Sequence, residues 1–325
     1  MKFDFSLRSL VFCGFVVAMA ASSAAAPLPE PTRYTAIVNV AFGAHPRQRL
    51  DFYRPISEKP MPVVILIHGG GWCAGYKESQ VLYSMMLPCL DAGIAFVAID
   101  YRYVMHAQLD GVQPPVKGPF DDAARALQFV RSKAREWNID KERIAMHGGS
   151  AGACSALWVA LHDDLADPKS ADPVARESSR PWCVAVNNAQ TSLDPKQLRE
   201  WTPNSRYGGH AFGFFDPRNA TGTRDSQFEE FLAHREELLP WIKEYSPYEL
   251  VSKDDPPAYL YYGTPPAMGQ EVVDPTHTSN YGVKFQERCK EAGVECELVY
   301  PGAPDVRHPT VFEYVVEKLN EPSAK

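Results

Sequence analysis

What most constrains this chain is a repeated switch, from residue 36 onward, between short continuous apolar runs and segments of helical periodicity. Runs such as Pro62-Val-Val-Ile-Leu-Ile67 and Ile94-Ala-Phe-Val-Ala-Ile99 leave no polar face, so they suit strands buried on both sides of a parallel sheet. Residues 143–147, 183–187, 258–262 and 295–300 read the same way, with helical segments near 78–90, 121–137, 151–161, 279–291 and 309–319. Two earlier strands, 36–40 and 49–53, are joined by a turn over Gly43 to Pro46 and start the chain antiparallel. This alternation predicts an α/β fold: a mostly parallel central sheet with helices on both faces, binding ligands beyond the carboxyl ends of its strands.

The two ends of the pattern set the domain limits. Lys2 and Arg8, the apolar stretch Leu10 to Ala20 and the small-residue run Ala21 to Ala26 are the parts of a secretory signal peptide. The apolar stretch is short of the roughly 20 residues that a membrane span needs, so an exported protein without a membrane anchor is expected, periplasmic or secreted. With 45% hydrophobic residues and no repeat or low-complexity tract, residues 27–325 are expected to form one domain around one core. One stretch breaks the rhythm: residues 189–248 are rich in Trp, Tyr, Phe, Pro and Gly, with only a late helix near 226–243. It reads as an insertion, or lid, over the active-site edge.

Charge and cysteines narrow the partners. The formal charge is -7 for the whole chain, and losing Lys2, Asp4 and Arg8, a net +1, makes it -8, which disfavours nucleic acid and anionic membrane surfaces. Six cysteines follow residue 26, and Cys289 with Cys296, flanking a turn at Gly293, is the best single candidate for a disulfide; two unpaired buried thiols are the equal alternative. No C-x-x-C pair or His/Cys cluster suggests a metal.

The strongest chemical signal is Gly148-Gly149-Ser150-Ala151-Gly152, between a predicted strand and a predicted helix. A G-x-S-x-G turn holds its serine in a strained strand-to-helix corner, and the glycines keep neighbouring atoms clear of it. Upstream, His68-Gly69-Gly70-Gly71-Trp72 follows a buried strand. Acyl transfer develops negative charge on a carbonyl oxygen, and the backbone N–H groups of Gly70, Gly71 and Ala151 are the expected donors to it, with His68 bracing the loop. Gly69-x-Gly71-x-x-Ala74 with Asp100 also fits a dinucleotide fingerprint, but that reading leaves the serine turn unexplained.

His68-Gly-Gly-Gly-Trp72 with Gly75 and Lys77, Asp100-Tyr-Arg102, Gly149-Ser150-Ala151-Gly152 and Tyr300-Pro-Gly-Ala303 resemble the acetyl-esterase and hormone-sensitive-lipase-like branch of the α/β-hydrolases, including its feruloyl-esterase-like members. The resemblance spans residues 35 to 320 and implies the α/β-hydrolase fold, no cofactor, a Ser, Asp, His order along the chain and carboxylesterase activity. The substrates it suggests are small-molecule or carbohydrate-linked esters, acetyl or feruloyl; amide cleavage is the alternative within enzymes.

In this fold the acid follows a late strand and the histidine follows the acid. After residues 258–262 the candidates are Glu271 and Asp274, and Asp274-Pro275 has the family's spacing to the next helix, although the loop after Gly263 is longer than usual. Two histidines follow. His277 lies three residues from Asp274 on one loop and is expected not to reach from that acid to the serine. His308 stands after the last strand, separated from Pro-Gly-Ala by an unusual Pro-Asp-Val-Arg spacer. The expected triad is therefore Ser150, Asp274 and His308, with His147 a buried structural residue.

Overall fold

The computed structural model describes residues 34–78, 80–214 and 225–321, so the expected signal peptide lies outside the described residues. The strands are β1 (Tyr34–Ala41), β2 (Arg49–Pro55), β3 (Met61–Ile67), β4 (Ala95–Ile99), β5 (Ile139–Gly149), β6 (Cys183–Asn187), β7 (Ala258–Tyr261) and β8 (Cys296–Val299). The helices are α1 (Gln80–Asp91), α2 (Val104–Leu109), α3 (Lys117–Ser132), α4 (Ala134–Trp137), α5 (Ala151–Leu161), α6 (Pro195–Trp201), α7 (Phe228–Ala233), α8 (Arg235–Tyr245), α9 (Pro247–Leu250), α10 (Asn280–Ala292) and α11 (Val311–Asn320). All eight expected strands form, seven of them within two residues of their predicted bounds, while β5 begins four residues before the expected 143.

They make one sheet in the order β1-β2-β4-β3-β5-β6-β7-β8, antiparallel across β1, β2 and β4 and parallel from β4 to β8. Apolar side chains alternate between its two faces. Val63, Ile65 and Ile67 join the core beneath α3 and α5, whereas Val64 and Leu66 join the core beneath α1 and α11. Burial on both faces explains why these strands read as unbroken apolar runs. Every residue of α5 is buried, so the helix that follows the serine turn is apolar all round and fixed inside the molecule.

Among the described residues, no helix is long and apolar enough to cross a membrane, and no His, Cys, Asp and Glu side chains group as metal ligands. The six cysteines from Cys73 to Cys296 are free thiols. Cys289 and Cys296 lie beside each other as free thiols, without a disulfide between them.

Candidate active site

Ser150 stands where β5 gives way to α5, at φ 54° and ψ -123°, a left-handed backbone that a non-glycine residue adopts only under strain. Its neighbours hold it there. A Cβ on Gly148 would come within 2.5 Å of the Gly152 backbone, and one on Gly152 within 2.2 Å of the Ile67 carbonyl oxygen. Both glycines are thus required by close approach, as the five-residue turn implies. Ser150 N–H donates to the Asn187 carbonyl at 3.0 Å, tying the corner to β6.

The long loop between β7 and α10 completes the site. His277 Nε2 lies 2.9 Å from Ser150 Oγ, and His277 Nδ1 lies 2.7 Å from Asp274 Oδ2. The chain serine, imidazole, carboxylate is therefore continuous, and the histidine in it is His277. Its spacing of three residues from Asp274 is what makes this work. Thr276 N–H donates to Asp274 Oδ1 at 3.1 Å and His277 N–H to the Asp274 carbonyl at 3.4 Å, a tight turn that brings the two side chains together. One imidazole nitrogen then meets the carboxylate while the other faces the serine.

His308 is not brought to the site, which corrects the expected triad. The Pro304-Asp-Val-Arg307 spacer takes the chain back along β8, so that His308 N–H and Nδ1 meet the Glu297 carboxylate, each at 2.7 Å. Nε2 meets Glu317 of α11 at 2.9 Å. Burial would push this imidazole down, but its hydrogen bonds to Glu297 and then Glu317, with their charges, outweigh it and raise the pKa above the ordinary value. His308 thus clamps α11 to the sheet. Since the folded pKa exceeds the unfolded value of about 6.5, the stabilisation is complete below that pH and fades as pH rises through the folded pKa. Urea unfolding of His308→Gln at pH 5.5 is expected to show about 1–3 kcal/mol lost, with a smaller loss in alkaline buffer and unchanged turnover by the folded enzyme.

Around Ser150 and His277 opens a cavity of about 750 Å³, lined by the glycine loop at His68 and Gly69, by Asn187 at the end of β6 and Asn188 after it, and by Pro265, Val272, Val273 and Asp274. Gly69 is the loop residue against the serine: a Cβ there would lie 3.3 Å from Ser150 Cβ. Gly70 and Gly71, at φ 108° and 61°, form the turn behind it, where the Gly70 carbonyl accepts from Cys73 and Ala74 N–H. Ala151, fully buried, is the first residue of α5. No residue of 189–214 or 225–248 is among those lining this cavity.

His68 braces the glycine loop as expected. Its ring stacks on Tyr101 at 4.3 Å, Tyr101 OH donates to the His68 carbonyl at 2.8 Å, and Nε2 stands 3.5 Å from Asp100. Asp100 also accepts from Lys77 N–H at 2.9 Å and Arg47 at 3.2 Å. Burial raises its pKa, but His68, Arg47 and the Lys77 N–H together bring it below the ordinary carboxylate value. With Asp100 so engaged and the glycine loop closing on a turn, this stretch has the form of a braced loop rather than a dinucleotide cradle. His147 is buried as expected, its Nδ1 2.7 Å from the Ala185 carbonyl, and burial lowers its pKa.

A strained serine at a strand-to-helix corner, a glycine loop beside it and a parallel sheet opening antiparallel define an α/β-hydrolase. The chain belongs to the BD-FAE family, whose sequence pattern it matches over residues 50–268. A probable isoprenylcysteine alpha-carbonyl methylesterase, ICMEL1, of Oryza sativa subsp. japonica is 33% identical over 135 residues, 41% of this chain and 30% of that protein. Carboxylesterase NlhH of Mycobacterium tuberculosis is 30% identical over 118 residues, 36% of this chain and 34% of that one. The matched region thus spans about a third of the length of these relatives. Among solved structures, a truncated carbohydrate esterase from gut microbiota superposes with a TM-score of 0.64 over 90% of this chain and 99% of the other, at 20% identity. An acetyl ester-xyloside bifunctional hydrolase from Caldicellulosiruptor lactoaceticus gives 0.56 over 78% and 76%, at 25% identity.

Proposed function

We propose that the protein is a serine carboxylesterase in which Ser150 is the nucleophile, His277 the general base and Asp274 the residue that orients it. The observation that carries this reading is the continuous Ser150, His277, Asp274 hydrogen-bond chain at 2.9 and 2.7 Å, opening on the cavity. Ser150 Oγ attacks the ester carbonyl as His277 Nε2 takes its proton, and Asp274 holds the tautomer with hydrogen on Nδ1. Backbone N–H groups of Ala151 and of the glycine loop, Gly70 and Gly71 among them, hold the oxyanion. Collapse of the tetrahedral intermediate returns the proton to the departing alcohol and leaves an acyl-enzyme. Water, deprotonated by His277, then releases the acid.

For substrate, the proposal is a small-molecule or carbohydrate-linked ester, acetyl or feruloyl. The carbohydrate esterase and the acetyl ester-xyloside bifunctional hydrolase among the structural neighbours support this choice. The test is incubation with a fluorophosphonate probe and peptide mass spectrometry, beside release of acid from p-nitrophenyl acetate and from acetylated and feruloylated oligosaccharides. Label on Ser150, lost in Ser150→Ala along with turnover, is the expected result. A folded protein that takes no label overturns the mechanism; simple esters cleaved while every oligosaccharide is refused overturns the substrate class alone.

A further inference from the structure

Residues 263–279 form neither helix nor strand, yet they carry both Asp274 and His277. This loop is thinly covered: the Asp274 side chain is 60% exposed, and Val273 projects fully into solvent. Apolar packing therefore does little to fix the stretch that must hold an imidazole within hydrogen-bond reach of a serine. Side-chain amides do so instead.

Gln190 is fully buried, and its Nε2 donates to the Thr276 carbonyl at 2.7 Å, the peptide directly before His277, and to the Asn188 carbonyl at 3.2 Å. Asn204 meets Val272 at two points, Nδ2 donating to the carbonyl at 2.8 Å and Oδ1 accepting the N–H at 3.2 Å, as a neighbouring strand would. The start of the loop is tied by Asn280, whose amide joins Ala267 to the Trp201 carbonyl, and by Gly269 N–H, which donates to Trp201 at 3.0 Å. Gln190, Trp201 and Asn204 all belong to the aromatic insertion. Two of its side chains hold this stretch, one at residue 272 and one at residue 276, with Asp274 between them and His277 directly after the second.

We propose that Gln190 and Asn204 are positioning residues for His277, so that the insertion acts as the brace of the catalytic loop. The proposal rests on the triad reading given above. A base must stay within about 2.6–3.2 Å of the proton it takes, and a drift of about 1 Å costs on the order of 100-fold in rate. Removing a brace therefore lowers the chemical step while leaving the cavity that binds substrate in place.

The variants are Gln190→Met and Asn204→Leu, which drop the amide at similar volume, and Asn204→Asp, which keeps an acceptor for Val272 N–H. Turnover of p-nitrophenyl acetate, the rate of fluorophosphonate labelling and hydrogen exchange across residues 264–279 are measured where circular dichroism shows each variant folded. We expect kcat and labelling to fall about 10- to 100-fold with KM little changed, Asn204→Asp to lie between Asn204→Leu and wild type, and exchange in the loop to quicken. Folded variants with wild-type kcat, or with slower kcat but unchanged loop exchange, overturn the brace while leaving the triad intact. Failure of the wild-type protein itself to label on Ser150 overturns the triad instead. Should Gln190→Met not fold, Asn204→Leu, at a half-buried loop position, decides the matter by the same readouts.

Discussion

His277→Ala is expected to lower kcat for p-nitrophenyl acetate by about 10⁴- to 10⁶-fold, with little change in KM. In the proposed mechanism the imidazole, 2.9 Å from Ser150 Oγ, accepts the serine proton and donates it to the leaving alcohol, so both half-reactions lose their proton carrier. Its side chain is 35% exposed, which means that truncation opens no core cavity, and unfolding midpoints are expected to move within about 0.5 kcal/mol. Fluorophosphonate labelling of Ser150 should slow in parallel, since it needs the same activated hydroxyl. Stopped-flow kinetics of His277→Ala and His308→Gln side by side give the sharpest test: near-normal turnover in His277→Ala and collapse in His308→Gln would return the base to His308 and contradict the geometry.

The fold was legible because its signals are local. A strand buried on both faces must be apolar throughout, as β3 and β4 are, and the serine corner needs glycine at 148 and 152 because the α5 and β3 backbones come within 3 Å of where a Cβ would stand. The histidine beside Ser150 was harder to read, because acid and imidazole share one loop here rather than standing on two. Asp274-Pro275-Thr276-His277 carries its own signal: an Asp accepting from the N–H two residues on makes a turn that turns a separation of three into a contact. The long spacer before His308 pointed the same way, since four added residues carry that histidine back beside Glu297. The insertion was read as a lid because aromatic excursions often are. The amide hydrogen bonds on which the proposed brace rests run from Gln190 and Asn204 to main-chain atoms more than 60 residues away, and such bonds leave no periodicity or motif in a sequence.

Asp274→Asn is expected to lower kcat by about 10²- to 10⁴-fold, and to do at least as much harm as Asp274→Ala. The reason lies in which groups the carboxylate serves. Oδ1 accepts from Thr276 N–H, a bond that asparagine can keep, so the turn persists; Oδ2 accepts from His277 Nδ1, which an amide NH₂ cannot do. The amide instead donates to Nδ1, the ring proton moves to Nε2, and that nitrogen then faces Ser150 as a donor with no lone pair to receive the hydroxyl proton. Alanine leaves Nδ1–H to water and permits the working tautomer part of the time. With the Asp274 side chain 60% exposed, water screens its charge and the loss falls toward the lower end of the range. Glu271, the other acid on this loop, is exposed, and Glu271→Gln is expected to turn over at nearly the wild-type rate. Steady-state kinetics of the three variants at one pH decide the point: Asp274→Asn at wild-type rate beside an inactive Glu271→Gln would transfer the acid's role to Glu271, and Asp274→Ala far below Asp274→Asn would mean that the turn held through Oδ1, rather than tautomer control, is what the side chain supplies.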